Sequence, residues 1–176
     1  DLHLLSRRQR QMCIRDSIGG PEGIFTAQER LAGYSKALNE AGIPIRDSLI
    51  FHGDYTIQGG VRGLEKLVRD NPDMTAVFVT NYEMTMGAMI GVNELGIQIP
   101  QQLSLIGFDN LQFARACNPK LTIVSQPTDG IAREVARIML EHLENGKQEG
   151  EESFSEKLRT EIIEGKSVSF LNGKLP

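Results

Sequence analysis

The chain has 176 residues, of which 40% are hydrophobic and 24% charged, with 18 Gly, enough for one globular domain with its own core. No run approaches the roughly 18 consecutive apolar residues of a membrane span, and Asp1-Leu2-His3-Leu4-Leu5 lacks the basic-then-apolar order of a secretory signal. Cys13 and Cys117 are too few for a disulfide scaffold and lack metal-ligand spacing, so a reducing, cytoplasmic setting is expected. Net charge is -4, and residues 18–176 alone carry -6, which argues against direct nucleic-acid binding by this stretch.

Residues 1–17 show no sustained periodicity. An aliphatic strand is expected just before Gly19-Gly20-Pro21, yet Met12-Cys13-Ile14-Arg15-Asp16-Ser17 offers only a broken one. That string resembles translated sequencing-adapter read-through at the end of an assembled reading frame. Arg7-Arg8-Gln9-Arg10 could serve as a basic arm, but the favoured reading is a non-native or disordered leader over 1–17 with few core contacts.

From Gly19 the punctuation becomes regular. Thr26-Ala27-Gln28-Glu29 reads as a capping box that opens a helix carrying Leu31, Tyr34, Leu38 and Ala41, stopped by Gly42 and Pro44. Ser48–His52 predicts a buried strand ending in Gly53-Asp54-Tyr55. Val61, Leu64, Leu67 and Val68 mark a second helix, closed by Asn71-Pro72. Thr75–Thr80 is a second strand followed by Asn81, a helix covers about Tyr82–Leu95, and Leu103–Phe108 is a third strand followed by Asp109. Leu121–Val124, a helix near Thr128–Leu143, a polar linker over Glu144–Glu152 and a strand near Leu158–Ile163 complete the pattern. Apolar strands alternating with helices mean parallel βαβ units, and hence a doubly wound α/β fold covered on both faces.

Asp54, Asn81 and Asp109 each follow a strand. In open parallel sheets the ligand crevice lies beyond the carboxyl ends of the strands, so these side chains should converge on a small polar metabolite such as a sugar. Capping the following helices is the competing role for each one taken singly. No Gly-x-Ser-x-Gly, Walker-type, Gly-x-Gly-x-x-Gly or His-Glu-x-x-His pattern occurs, and His3, His52 and His142 lie far apart. His52 beside Asp54 is a conceivable base, though a half-buried strand-end His is commoner. No catalytic residue, metal site or cofactor is expected.

Glu29-Arg30-Leu31-Ala32-Gly33-Tyr34, Thr80-Asn81-Tyr82-Glu83-Met84 with Gly87-Ala88, and Ile99-Pro100-Gln101 leading to Ser104–Asn110 together resemble the LacI/GalR family of bacterial repressors. Leu121–Pro127 resembles that family's return segment and Ile162–Val168 its closing strand, with Gly165-Lys166 where an Arg is usual. The resemblance covers about Gly19 to Val168. It implies the carboxy-terminal subdomain of a periplasmic-binding-protein-like (type I) sensor: 18–124 as that subdomain, 125–150 as a helix packing on a first subdomain absent from this chain, and 151–176 as return strand and tail.

By the same resemblance, the effector contacts fall on Arg30, Tyr55, Asn81, Asp109 and Gln126, with Thr128 where an aromatic lining residue is frequent. The partners implied are a small-molecule effector, a second copy of the chain, and operator DNA through an amino-terminal domain not in this chain, with no membrane partner. A homodimer is expected through Met84, Met86 and Met89 on the third helix, whose apolar surface exceeds a one-sided stripe. Complete burial of that helix in its own subdomain is the alternative. The leading functional reading is the effector-sensing and dimerising portion of a transcription regulator; the solute-binding component of a sugar transporter is the second, and an enzyme of the same fold a distant third.

Overall fold

The computed structural model describes residues 14–145 and 157–169. Elements follow in the order β1 (Ile14–Gly19), α1 (Phe25–Glu40), a 3₁₀ turn (Asp47–Leu49), β2 (Ile50–His52), α2 (Ile57–Asp70), β3 (Met74–Val79) and α3 (Tyr82–Glu94). Then come β4 (Ser104–Phe108), α4 (Leu111–Ala116), β5 (Thr122–Ser125), α5 (Thr128–Asn145) and β6 (Glu161–Ile163). The six strands form one sheet in the order β2-β1-β3-β4-β5-β6. The first five are mutually parallel, and β6 pairs antiparallel with β5.

The chain leaves β1 toward β2, then crosses back over β1 to β3 and continues outward through β4 and β5. Right-handed crossovers in opposite directions put α1 against one face and α2 and α3 against the other. The reversal at β1 leaves a crevice at the carboxyl edge of the sheet. The core beneath it holds Ile18, Leu64, Leu67, Val77, Val79, Met84, Leu105 and Ile123.

Residues 14–17 do not belong to a leader with few core contacts. They form the first part of β1, paired with β3 along their length and, at Ser17, with β2; Asp16 and Ser17 have no exposed surface. Backbone hydrogen bonds in a parallel ladder do not read side chains, so a broken apolar pattern can still fill a central strand when Ile18 anchors it. Residues 1–13 lie outside the described residues, as does the linker expected over 144–152 apart from the end of α5.

The capping box at Thr26 does not form. α1 begins at Phe25, its cap position Ile24 makes no side-chain bond, and Thr26 lies inside the first turn. Glu29 bonds instead to Lys157 Nζ at 2.8 Å. At the next helix a side chain does cap: Thr56 Oγ1 accepts from Gly59 N at 2.9 Å and opens α2. α2 and α3 pack so closely that a Cβ on Gly60 would strike the backbone of Met84, and one on Gly87 the carbonyl of Ile57.

That packing corrects two of the three dimer candidates. Met84 is fully buried and Met89 is 8% exposed, both within the core of their own domain, so neither offers surface to a second copy. Met86 is half-buried, and Ile90 and Leu95 on the same helix are exposed. At the far edge Ser167, also fully buried, donates to Leu105 O at 2.6 Å and accepts from Thr122 N at 2.8 Å, stitching the tail onto β4 and β5. Gly165 is required there, because a Cβ would meet the backbone of Lys120 and Leu121.

Candidate functional site

Arg30, Tyr55, Asn81, Asp109 and Gln126 all line one cavity of about 780 Å³ at the carboxyl edge of the sheet. All five are half-buried. They come from four different strand ends and from α1, so only the fold makes them neighbours.

Arg30, on the second turn of α1, donates from Nη1 to Thr80 O at 2.5 Å, and its guanidinium lies 4.0 Å above the centre of the Phe108 ring. The carbonyl bond and the cation–π contact hold the side chain between the ends of β3 and β4.

Tyr55 occupies the left-handed region at φ 61°. Its ring lies flat against Gly20, where any Cβ would collide, and its hydroxyl is 3.4 Å from Thr26 Oγ1. Left-handed backbone at a non-glycine residue costs about 1 kcal/mol, which the packed ring offsets.

Asn81 caps α3: Oδ1 accepts from Met84 N at 2.8 Å while Nδ2 donates to Glu83 Oε2 at 2.6 Å. Capping and cavity lining are therefore combined in one side chain, whose amide keeps a second N–H. Asp109 and Asn110 are both left-handed, with φ 57° and 49°. Asp109 Oδ1 accepts from Gln126 N at 3.1 Å and Oδ2 from Gln126 Nε2 at 2.6 Å, so the two residues form one unit across β4 and β5. Each carboxylate oxygen keeps a lone pair for a hydroxyl.

Asp54 does not join them. Its carboxylate turns back into its own loop, accepting from Thr56 N at 3.1 Å, Thr56 Oγ1 at 2.7 Å and Arg62 Nη2 at 2.7 Å. The hydrogen bonds from Thr56, with the Arg62 guanidinium behind them, hold its pKa below the usual carboxylate value. His52 stands outside the cavity, with Nε2 3.6 Å from Glu22 Oε1. Thr26, Glu83 and Gln112 are further polar lining residues that the site expected from sequence did not contain, and Thr128 lines the cavity at the position the family resemblance marked. Of these three, Glu83 carried a signal in its place two positions after Asn81 in a helix's first turn, and Thr26 in its place at the start of α1. Among the described residues no group of three or more His, Cys, Asp or Glu could hold a metal ion, and no helix is long and apolar enough to cross a membrane.

A parallel sheet whose switch point opens on a polar cavity is an arrangement that suits binding of a small ligand. The sequence pattern of the periplasmic binding protein-like domain matches residues 3–168. The chain belongs to that family, as an effector-binding domain of the LacI/GalR type. It is 34% identical over 167 residues to the HTH-type transcriptional repressor PurR of Escherichia coli O1:K1 / APEC, covering 95% of this chain and 47% of that protein. Its fold is similar to that of the transcriptional regulator CelR in complex with cellobiose, at 29% identity and a TM-score of 0.81, covering 88% of this chain and 46% of the other. A sugar-binding transcriptional regulator of the LacI family from Escherichia coli, complexed with phosphate, is similar at 28% identity and a TM-score of 0.74, covering 94% and 58%. These relatives are regulators, not transport proteins. The chain spans about half the length of the curated relatives it matches.

Proposed function

We propose that this chain is the effector-sensing and dimerising part of a DNA-binding transcription regulator that acts in the cytoplasm and responds to a sugar or related small metabolite. The observation that carries the reading is the convergence of Arg30, Tyr55, Asn81, Asp109 and Gln126 on one cavity. A planar donor fork, a flat ring, an amide and a paired carboxylate suit the vicinal hydroxyls of a saccharide. Among the described residues that line the cavity no nucleophile–base pair accompanies them, which favours binding over turnover.

On this reading the opposing wall belongs to a first lobe outside the chain. The exposed stripe on α5, formed by Ile131, Val135, Met139 and Leu143, supports it, because these apolar side chains lie one turn apart and unburied. The effector then acts on operator DNA by favouring one arrangement of the two lobes and of the dimer, through an amino-terminal reader that this acidic piece lacks.

Calorimetry tests the proposal. One wall leaves a sugar largely hydrated, and losing two or three net hydrogen bonds weakens binding by roughly 30- to 150-fold relative to a complete cleft. Saccharide binding by the 176-residue chain should accordingly be weak. In the full-length regulator Asp109→Ala should remove most of the affinity. Tight binding by the single lobe, or an indifferent Asp109→Ala, would place the site elsewhere.

A further inference from the structure

Among the described residues, the cavity lining holds one guanidinium, Arg30, against two carboxylates, Glu83 and Asp109. Arg30 is already engaged by the Thr80 carbonyl and the Phe108 ring. Asp109 shares its charge with two N–H groups of Gln126. Glu83 is different: it is exposed on the first turn of α3 and receives a side-chain hydrogen bond from Asn81 Nδ2 at 2.6 Å on Oε2.

The first turns of α3 and α4 both line this cavity. Unpaired N–H groups and the helix dipole ordinarily make such a terminus attractive to phosphate. On α3 that role is filled within the chain, by the Asn81 cap and the Glu83 carboxylate. On the six-residue α4 the side chain of Asn110 accepts from Phe113 N at 2.9 Å. A phosphoryl group entering here meets more negative than positive charge.

We propose that Glu83 is a specificity-determining residue that closes this site to anionic ligands, so that the effector is a neutral or cationic polyhydroxylated molecule and phosphorylated sugars are rejected. The inference rests on the effector-site reading above and adds the charge class of the ligand. A dianion about 5 Å from a partly solvated carboxylate is disfavoured by roughly tenfold.

Inorganic phosphate, titrated at constant ionic strength into the ¹⁵N-labelled chain, reads this at the amides of Asn81, Asp109, Asn110 and Gln126. Glu83→Gln keeps an oxygen acceptor for Asn81 Nδ2. Glu65→Gln, on the exposed side of α2 and outside the cavity lining, makes the same change in net charge. Phosphate affinity is expected to rise roughly tenfold in Glu83→Gln, further in Glu83→Lys, and less than about twofold in Glu65→Gln. Equal phosphate affinity in the parent and Glu83→Gln, no phosphate response in either, or an equal gain in Glu83→Gln and Glu65→Gln overturns the proposal. A panel of neutral mono- and disaccharides on the same samples separates the two levels. If none of them moves these amides the sugar-effector reading fails, whereas the phosphate comparison alone decides the part played by Glu83.

Discussion

Asp16 should make this domain less stable as the pH rises through the near-neutral range. It sits on β1, an interior strand of the sheet, is 0% exposed, and neither carboxylate oxygen has a hydrogen-bond partner among the described residues. Desolvation pushes its pKa from 3.8 to about 7. Between roughly pH 4 and 7 the folded protein therefore holds a proton that the unfolded chain has already released. Stability from this group is fully present below about pH 4, is lost progressively across that window, and is flat above it. The whole difference is about 4 kcal/mol, a large share of a small domain's stability. From pH 5 to pH 8 the loss is about 3 kcal/mol.

Asp16→Asn removes the titration, and Asp16→Val adds about 1–2 kcal/mol of apolar burial. The chain has no Trp, so urea unfolding is best followed by circular dichroism. The stability gap between either variant and the parent should widen by about 3 kcal/mol from pH 5 to pH 8. Taking that difference cancels whatever is common to all three proteins. Tyr34 gives a second readout: burial first, then the Asp16 charge, push its pKa up to about 12, and Asp16→Asn should lower it. A gap that is the same at both pH values, or an Asp16→Val less stable than the parent at pH 8, would refute the reasoning.

Gly87→Ala should destabilise the domain by about 1–3 kcal/mol in the same assay, although Ala gains up to about 1 kcal/mol in helix propensity, because its Cβ meets the Ile57 carbonyl and must drive α2 from α3. A stabilised variant would mean that the two helices can separate freely. If the chain dimerises through α3, Met86→Glu should yield a folded monomer by light scattering, since Met86 is only half-buried. Met84→Glu should instead unfold the domain, its side chain having no exposed surface. A dimeric Met86→Glu rules this face out.

The succession of apolar strands and punctuated helices was legible in the sequence because each pattern is local to its own segment: Asn81 opens a helix as its capping chemistry allows, and Asn71 closes one. Of the five cavity residues expected, Asn81 and Asp109 were legible as polar side chains at strand ends, whereas Arg30, Tyr55 and Gln126 came only through the family pattern. What no local pattern contains is where each side chain turns once its neighbours arrive. Asp54 and Asp109 are the same residue type after the same kind of strand, yet Asp54 is drawn into its own loop by Thr56 and Arg62 while Asp109 is held over the cavity by Gln126. Thr26 faces the cavity beside Tyr55, a partner that another turn of the chain brings to it. β1 is the extreme case, since a buried Asp16 contradicts its own side chain, and the backbone ladder to β3, with β2 joining from Ser17 onward, decides its place.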